Sequence, residues 1–265
     1  MSPLLGTVLI TGASSGIGRA LAIACAGPDT VLHLGGRDAS RLAETVAACS
    51  ARGASVQSRV VDVTDRTAMQ DWIGQTGTLD LVLACAGVSG GPRPATPDRA
   101  AQEDPAQVRR ILAVNLDGMV NTVLPAVALM ERQPRHADGS RGRIAGIASV
   151  AGFMSVPAAP TYGASKAAVD RWLVATGANL APHGIQLSSV ACGFVRSPMT
   201  APNKFTMPGL MDADEAASLI LRGIAAGRRR IVFPRWVAVA ARAFDLLPLR
   251  MTEMLMARQP PKAAG

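Results

Sequence analysis

Short apolar runs alternate along the chain with segments whose apolar residues recur at helical spacing. Leu4–Thr11, Thr30–Leu34, Ser55–Asp62, Asp80–Ala84, Arg143–Ser149 and Ile185–Ala191 read as strands. Most are nearly continuous in apolar residues, the pattern of parallel strands buried on both faces. Gly18–Ala26, Ala39–Arg52, Asp65–Gly74, Pro105–Met130 and Pro160–Ala181 read as helices. Asp104-Pro105 is a strong start for one of them, because Asp caps free N–H groups and Pro suits the first turn. This alternation predicts an α/β fold, doubly wound, with a mainly parallel sheet and helices on both faces. Ligands of such sheets bind outside the carboxyl ends of the strands, at the switch point. Val88–Pro97 and Glu131–Gly142 read as surface loops. Farther on, Asp212-Ala213-Asp214-Glu215 opens a capped helix and Arg230–Phe233 reads as a short strand. After Pro234, the residues Trp236, Val239, Ala240, Ala243, Phe244 and Leu247 repeat at helical spacing until Pro248, and Leu249–Met256 resumes the run.

Composition narrows the class. The 265 residues are 49% hydrophobic and 17% charged, too apolar for a disordered chain and suited to one α/β domain. No charge-free stretch approaches the ~18–20 residues of a membrane span. The N-terminus lacks the basic segment and long apolar run of a secretory signal, which predicts a cytoplasmic protein. Cys25, Cys49, Cys85 and Cys192 are widely spaced and are expected to stay reduced; with His33, His136 and His183 equally scattered, spacing offers no metal site.

The net charge of +8 is local. Residues 220–265 hold nine basic and two acidic side chains, leaving 18 and 17 for the preceding 219. Only Lys166, Lys204 and Lys262 are lysine. Aromatics make up 3% of the chain, which argues against stacking-based nucleic-acid binding. The chain therefore divides into a 1–234 domain and a basic amphipathic 235–265 extension that is not a domain of its own. The extension permits three readings: cover for a substrate pocket, contact with another subunit, or a peripheral seat on an anionic membrane.

Candidate chemistry lies at both ends of the predicted sheet edge. The first strand runs into Thr11-Gly12-Ala13-Ser14-Ser15-Gly16-Ile17-Gly18 and then a helix. Glycines let the backbone turn sharply, and the free N–H groups of a helix N-terminus favour pyrophosphate. A tight turn that binds nothing is the bland alternative; the position between first strand and first helix favours a nucleotide. The second strand ends Leu34-Gly35-Gly36-Arg37, so Gly36 stands where NAD-binding folds place a ribose-binding carboxylate. Arg37 can fork onto a 2′-phosphate, which favours NADP, with NAD the alternative. Asp62, closing the third strand, can accept a hydrogen bond from an adenine amino group or simply cap a loop.

At the other end, Tyr162, the one tyrosine, and Lys166 lie four residues apart at the start of a helix, hence on one face. A free phenol has a pKa of about 10, too high for a base at neutral pH, and a neighbouring ammonium favours the phenolate. Tyr162 can then exchange a proton with an alcohol or carbonyl while hydride moves to or from a nicotinamide.

These landmarks, in this order, resemble the short-chain dehydrogenase/reductase family from about Leu4 to Met199. Thr11-Gly12-(x)3-Gly16-Ile17-Gly18 is similar to its cofactor fingerprint, and Ala84-Cys85-Ala86-Gly87 to its usual Asn-Asn-Ala-Gly. Asn115 matches the family's helix asparagine, Ser149 and Tyr162 stand thirteen apart as catalytic partners with Lys166, and Cys192-Gly193-Phe194-Val195-Arg196-Ser197 matches a loop that usually carries Pro-Gly. Cys85 and Cys192 depart from the pattern outside the catalytic set. The resemblance implies a single-domain Rossmann fold and a catalytic set of Asn115, Ser149, Tyr162 and Lys166. In it Ser149 bonds the substrate oxygen, Tyr162 is the general acid/base, Lys166 holds the nicotinamide ribose and lowers the tyrosine pKa, and Asn115 anchors a water. It implies cofactor contacts from Gly12, Ser14, Ser15, Gly16, Ile17, Gly18, Arg37, Asp62, Val63, Ala86, Gly87, Tyr162, Lys166, Val195 and Ser197, and a homodimer or homotetramer.

Phe153, Met154, Val156, Pro157, Ala158, Phe194 and Met199, with Arg196 the one charge, are the expected substrate side. That lining suits a lipophilic small-molecule carbonyl or secondary alcohol. The rival from another class is a non-catalytic nucleotide-sensing protein on the same fold.

Overall fold

The computed structural model describes residues 6–97, 99–203 and 205–256. Leu4 and Leu5 of the first predicted strand, Lys204, and residues 257–265 of the extension lie outside them. The strands are β1 (Thr7–Thr11), β2 (Val31–Gly36), β3 (Ser55–Val60), β4 (Leu81–Ala84), β5 (Gly142–Ile147), β6 (Ile185–Cys192) and β7 (Arg230–Phe233). They form one sheet in the order β3-β2-β1-β4-β5-β6-β7, parallel throughout. The helices are α1 (Gly16–Cys25), α2 (Ala39–Ser50), α3 (Arg66–Gly74), α4 (Pro105–Leu112), α5 (Gly118–Met130), α6 (Pro160–Leu180), α7 (Ala213–Ala225), α8 (Arg235–Asp245) and α9 (Leu249–Met256).

The period-2 pleat builds a core on each face. Val8 and Ile10 of β1 pack with Leu21, Leu32, Leu34 and Ile220 on the side of α1, α2 and α7. Leu9 between them packs with Val82, Val123 and Leu173 on the side of α3, α5 and α6. Because both faces are covered, the central strands are apolar at nearly every position, whereas the edge strand β3 exposes Ser55, Gln57 and Ser58. The winding reverses between β1 and β4, so their carboxyl ends flank the switch point.

Pro105–Met130 is helical throughout, as expected, but a π-helical turn, Ala113–Asp117, lies within it between α4 and α5. Asn115 sits in it, fully buried, accepting from Val88 N (2.8 Å) and donating to Val88 O (3.0 Å) and Ser165 Oγ (3.0 Å). Long-range pairing of this amide holds the widened turn, which the local pattern does not encode. By length and composition the Pro105–Met130 run could cross a membrane, but half of its most apolar stretch is buried and α5 packs on α3 and β4 as a core helix. The predicted surface loop Val88–Pro97 is buried at Gly90, Gly91 and Pro92, where Gln107 Nε2 donates to Gly91 O (3.0 Å).

Candidate active site

The carboxyl ends of β1, β4, β5 and β6 open into one cleft with a volume of about 870 Å³. Gly12 adopts φ +66°, and a Cβ there would lie 2.8 Å from Ala86 N, so only glycine lets this turn lie against the end of β4. Thr11 Oγ1 joins the two strands, accepting from Cys85 N (3.2 Å) and Ala86 N (3.4 Å). The side chain of Ser15 does not cap α1, leaving the first-turn N–H groups of Gly16, Ile17 and Gly18 toward the cleft.

Arg37, Asp38 and Arg41 border the same end of the cleft. Asp38 caps α2: Arg41 donates to it from its backbone N (3.0 Å) and from Nε (2.7 Å). The backbone bond is the main reason its carboxyl is held below the usual range. Arg37 Nη1 stands 3.6 Å from Asp62 Oδ2, with both side chains partly exposed. Burial pushes the Asp62 carboxyl up, but bonds from Thr64 N (2.9 Å) and Oγ1 (2.8 Å), together with Arg37, outweigh it and hold the carboxyl low. Asp62 and Asn115 are the two predicted site residues that do not line the cleft; Val61, Val63 and Val114 do. Sequence reading missed Arg41, whose signal was its place one helical turn past the capping Asp38.

The reacting end forms where β5 gives way to a 3-10 turn, Val150–Phe153, capped by Ser149. Ser149 Oγ accepts from Ala151 N (3.2 Å), donates to Cys192 O (3.3 Å), and is hydrogen-bonded to the Tyr162 side chain. The turn reaches α6 because residue 152 is glycine: a Cβ there would lie 2.6 Å from Ala167 N. Tyr162 is in the first turn of α6 and Lys166 in the next. Lys166 Nζ donates to Ile147 O (2.7 Å) and stands 5.8 Å from the centre of the Tyr162 ring. Ala159 cannot cap α6 with a side chain, and Glu103 Oε2 substitutes from the β4–α4 loop, accepting from Thr161 N (3.0 Å) and its hydroxyl. Sequence reading missed Glu103, for which no local signal exists.

In the protein alone, burial pushes the Tyr162 phenol above its ordinary value, Cys192 adds to the rise, and the Ser149 bond partly opposes it. The Lys166 ammonium also acts on the thiols of Cys85 and Cys192, which burial still keeps protonated.

At the substrate end, Met154, Val156, Ala158, Phe194 and Met199 line the cleft as expected. Phe205 joins them, with Trp236, Val237, Ala240, Ala241 and Phe244 of α8 and Leu255 of α9. Helices α8 and α9 are thus a wall of the cleft. Phe153, Pro157 and Arg196 are not in the lining. Phe153 packs between the guanidinium groups of Arg230 (5.8 Å) and Arg242 (4.5 Å), and Arg196 pairs with Asp212 (2.9 Å) in solvent. Arg230 in turn grips the buried Asp170 of α6 through Nε (2.9 Å) and Nη2 (2.8 Å), and Ser189 Oγ donates to the same carboxylate (2.6 Å).

Comparison with known proteins agrees with this geometry. The family model described as short chain dehydrogenase matches residues 6–207. An uncharacterized oxidoreductase of Myxococcus xanthus is 34% identical over 246 residues, covering 91% of this chain and 92% of its own. A granaticin polyketide synthase putative ketoacyl reductase of Streptomyces violaceoruber is 34% identical, covering 78% of this chain and 74% of its own. Among solved structures, a short chain dehydrogenase/reductase from Burkholderia phymatum in complex with NAD superposes with a TM-score of 0.77 at 23% identity, over 100% of both chains. Fold, glycine turn and sequence kinship converge, and the chain belongs to the short-chain dehydrogenase/reductase family of oxidoreductases.

Proposed function

We propose that the chain interconverts a lipophilic carbonyl and its secondary alcohol with NADP(H) as the hydride partner. The observation that carries the reading is that Ser149, Tyr162 and Lys166 line one cleft whose far end is a glycine turn. The residues present fit a nicotinamide dinucleotide. The Gly12 turn leaves no room for a side chain, and the N–H groups opening α1 suit a pyrophosphate. Preference for the 2′-phosphate is supported by Arg37 and Arg41 bordering the cleft while Asp38, the carboxylate in that lining, is engaged as the α2 cap.

Bound NADP(H) supplies or takes up the hydride at the substrate carbon. Ser149 Oγ turns its one proton from Cys192 O to the substrate oxygen and fixes its direction. Tyr162 passes its phenolic proton to that oxygen as the carbonyl is reduced, and takes it back in the reverse direction. A phenol kept protonated by burial is poised for the reductive direction. Lys166 beside the ring steadies the phenolate left by proton transfer. Asn115 holds the Val88 backbone and Ser165 of α6 together behind this set. The aromatic and Met lining excludes water and accepts an apolar substrate.

The test is a panel of lipophilic and polar carbonyls followed by NADPH absorbance, repeated with NADH. Turnover of the lipophilic members with NADPH is expected. Turnover of only small anionic substrates contradicts the substrate class, and cofactor binding without turnover on the whole panel favours a nucleotide sensor.

A further inference from the structure

We propose that the outer face of α8 and α9 docks on an anionic lipid surface. Ten large apolar side chains are exposed among the described residues, and six of them belong to this stretch: Trp236, Val239, Leu246, Met251, Met254 and Leu255. On α8 they form a stripe, because Trp236, Val239, Ala243 and Leu246 follow one another by three, four and three positions. Ala238 and Ala241, on the opposite side, are the residues buried against the fold. Val239 is 68% and Leu246 is 87% exposed, so the stripe has no covering within the described chain. An apolar patch of this kind marks an interaction surface.

Charge identifies the occupant. Residues 235–265 carry five basic side chains (Arg235, Arg242, Arg250, Arg258 and Lys262) against two acidic ones. Arg235 is exposed beside Trp236 and makes no ion pair among the described residues. A helix with an apolar stripe, a Trp at one end and basic flanks is built to lie in the headgroup layer of an anionic bilayer. The stripe also runs into the cleft: Trp236 and Leu255 are both exposed and both line it. A lipid layer on this face would meet the cleft mouth, where an apolar molecule can pass without crossing water. The docking itself does not depend on the reaction, so its test is independent of turnover.

The full chain is sedimented with vesicles of phosphatidylcholine containing phosphatidylglycerol, and separately with vesicles of phosphatidylcholine alone. Preferential binding to the anionic vesicles is expected, weakening as salt is raised. Val239→Glu/Leu246→Glu changes two exposed residues outside the cleft lining and should lower partitioning about tenfold or more. Its far-UV circular dichroism and NADPH binding should match wild type. Arg235→Gln/Arg250→Gln should erase the preference for anionic over neutral vesicles while keeping the fold. Failure of the wild-type chain to sediment with either vesicle overturns the proposal, as does equal binding by the Val239/Leu246 variant. If that variant instead turns a larger wild-type oligomer into a smaller species while vesicles are ignored, the face belongs to a second copy of this chain.

Discussion

Replacing Arg37 with alanine should separate the two nicotinamide cofactors. Arg37 is half exposed and its 3.6 Å approach to Asp62 is a loose surface pair, so its loss costs the fold at most about 1 kcal/mol. A 2′-phosphate in its place would accept charge-assisted hydrogen bonds worth roughly 1.5–3 kcal/mol. At about 1.4 kcal/mol per decade, the loss in NADPH affinity is roughly 10- to 150-fold. NADH, which has no 2′-phosphate, should bind within about twofold of wild type. Arg41 is the internal comparison: Asp38 engages its Nε at 2.7 Å, so Arg41→Ala should cost NADPH less than Arg37→Ala does. Titrating each cofactor by quenching of tryptophan fluorescence, at fixed salt, gives both constants. If Arg37→Ala weakens NADPH and NADH equally, or neither, the assignment of the 2′-phosphate to this guanidinium is wrong.

Two further outcomes follow from buried polar groups. Arg230→Ala leaves the Asp170 carboxylate, 2% exposed, with the Ser189 hydroxyl but without its charged partner, and should destabilise the protein by about 3–5 kcal/mol. Asp170→Asn/Arg230→Met should recover most of this in urea unfolding; a loss under about 1 kcal/mol for Arg230→Ala contradicts the reading. His33 is buried on β2, and burial lowers its pKa below 6.5, so the fold favours the neutral ring. Its contribution is fully present above pH 6.5 and falls as pH drops from there toward the lower folded value. The urea midpoint should fall over that interval, and His33→Leu should flatten the step; identical slopes would remove His33 as the cause.

How far the sequence reading reached follows from where the information lies. The central strands were readable because burial on both faces leaves a continuous apolar run, as in Leu81–Ala84. Asp104 marked a helix start because capping is a contact with neighbours in the chain. The π turn at Asn115 was not readable, since its cause is a bond to Val88, 27 residues away. Glu103 escaped for the same reason, reaching Thr161 across 58 residues. Tyr162 and Lys166 were found by their spacing, but the direction of the tyrosine shift depends on burial, which spacing does not report. Trp236 and Phe244 were recognised as part of an amphipathic helix; that the helix walls the cleft is a tertiary fact.

The central claim is that the Tyr162 phenol moves the proton. Tyr162→Phe keeps the ring and its packing while removing the hydroxyl, so NADPH binding should stay within about threefold of wild type. Steady-state kcat for carbonyl reduction should fall by roughly 10²–10⁴-fold, the range for loss of a positioned acid. In wild type, reduction should stay level through neutral pH toward the phenol's ordinary 10.0, because burial keeps the group protonated. An undiminished kcat in Tyr162→Phe, with cofactor still bound, would contradict the account.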